Sequence, residues 1–312
     1  MMRYITVDGG TSNTRVMLVQ NGQIEDIVRI PFGARAGIEN ATALRTAIRD
    51  GISELLVRHK LKEADIERIL ASGMITSEFG LCNLPHICAP AGIAELHAQL
   101  HEVVLEDISP IPFVFIRGVK TVGTSVADTD MMRGEETELM GVIDEGGEKS
   151  LYVLPGSHSK LIETDASGKI LRFSTMLTGE MIGALATDTI LKDAVDLSIR
   201  TYDAQMLLAG CRYAMENGLN EALFKVRILK NLFQKDAMES YSFFLGAVLS
   251  AEIKIILASP IRRVVIGGKS QIKRATAELV QALSDKETVT VSDTDVDSSA
   301  TRGAIRIYEY RA

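Results

Sequence analysis

The sequence predicts an α/β protein of two similarly built halves, each with a mixed sheet that opens on a three-stranded antiparallel meander. Three observations carry this. At 312 residues the chain exceeds what one hydrophobic core usually organises. A β-branched strand running into a polar turn occurs twice, at "YITVDGGTSN" and at "LYVLPGSHSK". Each time, two further strand-like segments follow at once. The two stretches are not alike in sequence, so what repeats is the pattern.

Composition narrows the class. The chain is 46% hydrophobic and 24% charged, which is globular. Its net charge of −7 gains nothing from counterion release, so nucleic acid is not an expected partner. Cys82, Cys88 and Cys211 are odd in number and irregularly spaced, which argues against a disulfide framework and for a reducing cytoplasm. "CNLPHIC" gathers Cys82, His86 and Cys88 but lacks the fourth ligand and paired spacing of a zinc site. A buried loop with small apolar thiols is its other reading. The opening "MMRYITVDGG" has no apolar core followed by a cleavage site. No apolar run reaches the roughly 18 residues of a membrane span. "FFLGAVLSAEIKIILA" carries charge and reads as buried helix. A cytoplasmic protein with no membrane partner is expected.

The elements follow in order. "RYITVD" is a strand ending in Asp8 and two glycines, "TRVMLVQ" a second, and "IEDIVRIPF" a third behind the two-residue hairpin signal at Asn21–Gln23. Residues 40–60 carry helical spacing at Leu44, Ile48, Ile52 and Leu55, with Asn40 as N-cap. "IERILAS" is a strand that runs into the polar stretch "SGMITSEFGL". A helix is expected over Ala91–Val103, a strand over Pro112–Gly118, and a helix opening at "MRGEETELMG". "DEGGEK" marks the boundary, giving domains 1–146 and 147–312. "SLYVLPG", "SKLIETD" and "KILRFSTML" form the second meander. Helices fill Gly179–Leu257, "IRRVVIGG" is a late strand, and a helix, a short "TVTV" strand and a terminal helix complete the chain.

The chemistry gathers in three turns. In "DGGTSNTR", glycines admit a ligand to the backbone, and Thr11, Ser12 and Asn13 supply donors around an anion nest. Asp8 at the strand end is placed to hold Mg²⁺ through water. A hairpin turn rich in turn formers is the plain alternative. "LPGSHSKLI" offers a Ser–His hydrolase, a phosphate cradle or a polar hairpin. A hydrolase elbow needs strand–turn–helix and a G-x-S-x-G frame, and neither is present. Ser157 and His158 in an extended segment also point to opposite faces. The cradle reading places Gly156, Ser157 and Ser159 around phosphate, with Lys160 near. In "VVIGGKS", strand, Gly-Gly and helix let a flat ring or ribose lie on backbone.

These turns resemble the phosphate-1, phosphate-2 and adenosine motifs of the actin-like ATPase and sugar-kinase superfamily, with its ribonuclease H-like domains. "VDGGTSNTR", "SGMITSEFG", "DMMRGEETELMG", "LPGSHSKLI" and "TMLTGE" are similar, in order, to successive blocks of the 2-dehydro-3-deoxygalactonokinase family. The likeness runs from Arg3 to at least Gly268; "MRGEET" and "PGSHSK" are its specific blocks. The chain has no tryptophan, with Gly9 and Leu161 where the family commonly carries one.

The resemblance implies an actin-like fold with its active site in the interdomain cleft. It implies MgATP as cofactor and the 6-hydroxyl of 2-dehydro-3-deoxygalactonate as acceptor. The product feeds an aldolase in galactonate breakdown. ATP phosphates would meet Gly9, Gly10, Thr11, Ser12 and Asn13 on one side. Gly156, Ser157, His158, Ser159, Lys160 and Gly179 would meet them on the other. Adenosine would lie near Gly267, Gly268 and Lys269, and Asp8 would serve Mg²⁺. Asp130 is the first choice for the base, with Glu135 and Glu136 as rivals that first-turn helix acids could equally be. Arg133 would fork the substrate carboxylate, or pair with one of those glutamates. Arg15, Met74, Ile75, Thr178 and Glu180 complete the expected substrate contacts, although Gly73–Glu78 also reads as a capped loop. A homodimer is compatible. Two other readings stay open: a kinase of the same fold for another small hydroxy compound, and an actin-like regulator without a sugar substrate.

Overall fold

A computed structural model describes residues 2–34, 41–143, 147–268 and 271–311. The helix cap expected at Asn40, the Asp144–Gly146 part of the boundary stretch, and Lys269 lie outside the described residues. Two compact units form: Met1–Glu145 with Ser167–Arg172 and Thr294–Ala312, and Gly146–Ala166 with Phe173–Asp293. The first change of unit falls between Glu145 and Gly146. Residues 167–172 and 294–312 belong with the first unit, a return of the chain that composition does not mark.

In the first unit β1 (Arg3–Gly9), β2 (Thr14–Gln20) and β3 (Gln23–Ile30) form the expected meander. Asn21 and Gly22 sit at φ +49° and +77°, the left-handed pair that a two-residue hairpin turn requires. The sheet order is β3-β2-β1-β4-β7-β6, with β4 (Arg68–Gly73) parallel to both β1 and β7 (Ser109–Phe115). The parallel return from β3 to β4 uses α1 (Ala41–Arg58). Its Leu44, Ile48, Ile52 and Leu55, spaced at three and four residues, bury against Ile5, Val7 and Val16.

Alternation along β1 sends Tyr4 and Thr6 to the other face. There α9 (Asp293–Tyr308) covers them: Thr6 and Thr301 hydroxyls meet at 3.2 Å, and Tyr4 Oη donates to Glu309 at 2.9 Å. The helix α3 (Glu135–Val142) crosses α9 at backbone contact. A Cβ on Gly141 would sit 1.8 Å from Ser299 O, and one on Gly303 would sit 1.8 Å from Thr137 O.

The helix expected over Ala91–Val103 is corrected. The helix α2 stops at Ile93–Ala98, and β6 (His101–Leu105) follows, antiparallel to β7. "HEVVL" alternates half-buried with exposed residues at period two, a strand signal that the preceding apolar helical spacing masked. A small sheet of β5 (Ile87–Cys88), β8 (Val119–Thr121) and β9 (Asp130–Met132) completes the unit.

The second unit repeats the plan. Its sheet order is β12-β11-β10-β13-β14, from β10 (Ser150–Leu154), β11 (Ser159–Thr164), β12 (Ile170–Met176), β13 (Arg263–Ile266) and β14 (Glu287–Thr290). β10 pairs antiparallel with β11 and parallel with β13, as β1 does with β2 and β4. The helices are α4 (Thr178–Asp188), α5 (Ala204–Asn217), α6 (Leu219–Asn231), α7 (Ala237–Ala258) and α8 (Gln271–Leu283). By length and composition α7 could cross a membrane; here it is mostly buried in the unit's core, as its charged residues suggested. Gly210 and Gly246 let α5 and α7 touch: a Cβ on either would sit about 2 Å from a backbone oxygen of the other helix, 2.0 Å at Phe243 O and 1.9 Å at Leu207 O.

Candidate active site

The first turn is built by glycines that let three segments meet. Gly10 N donates to Asn13 O at 2.9 Å, closing the turn, and Ala34 N donates back to Gly10 O at 3.0 Å. Thr11, Ser12 and Asn13 stand exposed at its tip. Gly73, at the end of β4, holds φ +85°, and a Cβ there would lie 2.4 Å from Gly9 O. Gly134 holds φ +113° and would touch Gly73 Cα at 3.2 Å. So the ends of β1 and β4 and the loop before α3 converge at Gly9, Gly73 and Gly134.

Asp8, at this end of β1, lies opposite Arg15 in the β1–β2 ladder. Arg15 grips Asp8 Oδ2 with both Nε, at 3.0 Å, and Nη2. Arg15, expected at the substrate, is thus committed to the aspartate. Gly9 packs on Ile75, where a Cβ would come within 2.7 Å of Ile75 Cβ. Ile75 is 1% exposed, so its side chain supports the turn from beneath and is withdrawn from any ligand; Met74 is half-buried.

The three acids separate by depth and place. Glu136 is fully buried. Both its oxygens accept from Gly134 N at 2.9 Å, and Thr137 Oγ1 donates to Oε1 at 3.2 Å. Burial, then the neighbouring charge of Glu135, pushes its carboxyl up to about 8, against those hydrogen bonds. Glu136 therefore fastens the Gly134 turn and has no surface for a substrate hydroxyl. Glu135 begins α3 half-buried, and its Oε2 accepts from Arg133 N at 3.0 Å. Asp130 pairs with Thr121 on the β8–β9 hairpin, and its Oδ1 accepts from Met131 N. It precedes Gly134 by four residues of largely extended chain, which span roughly 13 Å. Glu135, not Asp130, adjoins the glycine junction.

Arg133 is half-buried. Nη1 donates to Thr76 O and Oγ1 at 2.6 Å each, and Nη2 donates to Leu84 O at 3.1 Å. Nη2 also meets His86 Nδ1 at 3.3 Å. Burial, then the Arg133 and Lys120 charges, holds His86 down to about 4, so the ring is neutral and Nδ1 accepts. Burial also lowers Arg133. The guanidinium so organises the Met74–Leu84 loop. Beyond His86 lies an open groove of about 500 Å³ reaching Cys88, Glu95 and Arg117; it includes none of the phosphate-turn residues. Among the described residues no group of three or more His, Cys, Asp or Glu is placed to hold a metal.

The second turn repeats the device. Gly268 holds φ +69°, and a Cβ there would lie 2.8 Å from Pro155 O, as Gly73 abuts Gly9. Gly267 N donates to Val153 O at 2.8 Å. Gly156 and Ser157 are exposed, while Ser159 and Lys160 are buried. The turn is fixed to the start of α4: Gly179 N donates to Gly156 O and Ser157 O at 3.2 and 3.1 Å, and Glu180 N to Ser157 O at 3.3 Å. His158 Nε2 meets Glu180 Oε1 at 3.1 Å. The turn leads into a strand, Ser159–Thr164, so the strand–turn–helix elbow that the hydrolase reading needs is missing. Thr178 sends its hydroxyl inward to Glu252, away from solvent. Lys160 Nζ lies 3.4 Å from His158 O.

One expected outcome follows from Glu136. Its pKa is raised in the folded protein, so the folded state keeps a proton the unfolded chain loses. Stability from this group is full below about 4.5 and is lost as pH rises toward 8. Denaturant unfolding of wild type and Glu136→Gln at successive pH values should show the wild type losing up to about 1.4 kcal/mol per pH unit relative to the variant, levelling above 8. A pH-independent difference would contradict a buried neutral Glu136.

The comparisons agree with this architecture. A structure from Sinorhizobium meliloti assigned as a 2-dehydro-3-deoxygalactonokinase superposes over 97% of both chains with TM-score 0.77 at 23% identity. The (R)-2-hydroxyglutaryl-CoA dehydratase component A of Acidaminococcus fermentans covers 99% of this chain and 98% of its own, with TM-score 0.53 at 14% identity. Both show the fold, the expected two-domain actin-like one. The 2-dehydro-3-deoxygalactonokinase of Escherichia coli K12 is 28% identical over 261 residues, 80% of this chain and 79% of that one. The 2-keto-3-deoxy-galactonokinase family model matches residues 8–307, and the chain belongs to that family.

Proposed function

We propose that the chain is an ATP-dependent kinase that phosphorylates the 6-hydroxyl of 2-dehydro-3-deoxy-D-galactonate. The observation that carries this reading is the pair of like-built glycine turns, Gly9–Asn13 against Gly73 and Pro155–Ser159 against Gly268, within a chain of this family. Each turn follows the first strand of its sheet and leaves exposed backbone for phosphate oxygens. Gly267 and Gly268, buried against Leu154 and Pro155 beside the second turn, mark the end of the sheet where adenosine is placed in this reading.

Phosphoryl transfer asks a protein chiefly for positioning and charge neutralisation. Asp8 is a hard oxygen donor at a strand end, next to the first turn. One protein carboxylate completed by water and phosphate oxygens suits Mg²⁺, which would neutralise charge on the transferring group. Arg15 fixes the rotamer of Asp8. Glu135 takes the proton from the acceptor hydroxyl: of the three acids it alone is both accessible and beside the glycine junction. Glu136 and Arg133 act behind it, on the Gly134 turn and the Met74–Leu84 loop.

The absent tryptophans do not open a different substrate pocket in this reading. Leu161 is 2% exposed within the second unit's core, and Gly9 lies against Ile75. The test is ATP turnover with a panel of sugar acids. Turnover should rise most with the galactonate-derived 2-keto-3-deoxy acid and less with its gluconate-derived epimer. Slow turnover indifferent to all acids would favour a regulator without a sugar substrate.

A further inference from the structure

Glu252 is a carboxylic acid in a place that favours hydrocarbon. It lies on α7, is fully buried, and sits among Phe244, Leu249, Ile253 and Ile256 of the same buried helix. Its Oε1 accepts the hydroxyl proton of Thr178, the first residue of α4. Its Oε2 is buried with no hydrogen-bond partner of good geometry, and the Ser159 hydroxyl is near enough to act on the carboxyl. Burial pushes the carboxyl up, and only the Thr178 and Ser159 hydroxyls act against it. Leucine would fill this volume without the cost of burying a polar group.

What Glu252 holds explains why an acid stands there. Immediately after Thr178, Gly179 N and Glu180 N carry the carbonyls of Gly156 and Ser157. Gly179 lies so close that a Cβ would meet Gly156 O at 2.5 Å and Ser157 Cα at 2.8 Å. The chain of contact runs from α7 through Thr178 to the exposed backbone of the second turn. Ser159, fully buried at the turn's far side, accepts from Gly156 N at 3.4 Å and stands next to the same carboxyl.

We infer that Glu252 is a positioning residue of the ATP-phosphate site, setting the start of α4, and through it the Gly156–Ser157 turn, from behind. This rests on the reading that the turn meets ATP phosphate. The test measures KM for ATP, KM for the sugar acid, kcat and thermal unfolding for four variants. Glu252→Leu should raise the ATP KM at least about fivefold, leave the sugar-acid KM within about twofold, and keep cooperative unfolding. Glu252→Gln keeps an acceptor for the Thr178 hydroxyl and should restore the ATP KM to within about twofold of wild type. Thr178→Val removes the same hydrogen bond at near-constant volume and should reproduce the leucine effect, which settles the matter even if Glu252→Leu does not fold. An unchanged ATP KM in either folded variant overturns the inference. Gly179→Ala pushes the turn directly and should raise the ATP KM by more. If it does so while Glu252→Leu and Thr178→Val do not, the positioning role alone falls. If it too leaves the ATP KM unchanged, the turn is not a phosphate site and both readings fall.

Discussion

Glu135→Gln should lower kcat by about 10²- to 10⁴-fold while leaving the affinity for ATP near that of wild type. The substitution keeps the size of the side chain and an oxygen for Arg133 N, so the Gly134 turn stays in place. What it removes is the carboxylate proposed to accept the hydroxyl proton. Asp130→Asn should cost less than about tenfold, because Asp130 lies back along the β8–β9 hairpin and keeps its acceptor for Met131 N. Steady-state kinetics and ATP-analogue binding on both variants decide the matter. The reverse order, with Asp130→Asn crippled and Glu135→Gln active, would move the base to Asp130 and require the hairpin to fold over the acceptor.

Asp8→Asn is expected to reduce kcat/KM for ATP by about 10²-fold, the scale of several kcal/mol of lost charge stabilisation. Two effects add. The carboxylate proposed to serve Mg²⁺ loses its charge, so more Mg²⁺ should be needed for half-maximal rate. Arg15 also loses the carboxylate it grips with two nitrogens and is left half-buried without it. Arg15→Gln separates the two effects: it frees Asp8 without neutralising it, so the Mg²⁺ requirement should change little. A Mg²⁺ titration in which Asp8→Asn matches wild type would remove Asp8 from the metal site.

Much of this was legible in the sequence because turn chemistry is local. Asn21–Gly22 specifies its own hairpin, and each meander declares itself by a β-branched strand ending in glycine or Pro-Gly. The parallel additions, β4 beside β1 and β13 beside β10, follow from the helical crossovers between them. Less legible was anything set by depth. Glu135 and Glu136 are neighbours in an acidic helix start, yet one reaches the surface and the other is sealed under Gly134. No spacing rule separates them. Ile75 and Thr178 look like loop and helix-cap contacts and prove to face inward, one under Gly9 and one toward Glu252. Glu252 itself was hidden in an apolar run that reads as plain core. Gly73 and Gly134 stood inside quoted blocks without a role of their own, although positive φ and close backbone, Gly9 O for the first and Gly73 Cα for the second, make both hard to replace. The helix expected through Val103 failed because an amphipathic start was extended across a change of period at His101.

The central claim is that the chain moves the γ-phosphoryl group of ATP to the terminal hydroxyl of a 2-keto-3-deoxy sugar acid. Phosphorus NMR of a reaction holding ATP, Mg²⁺ and 2-dehydro-3-deoxy-D-galactonate tests it in one spectrum. The expected result is stoichiometric ADP and a new phosphomonoester resonance split by the two protons on C6. ATP left unconsumed, inorganic phosphate alone, or a phosphomonoester coupled to a different carbon's proton would contradict it.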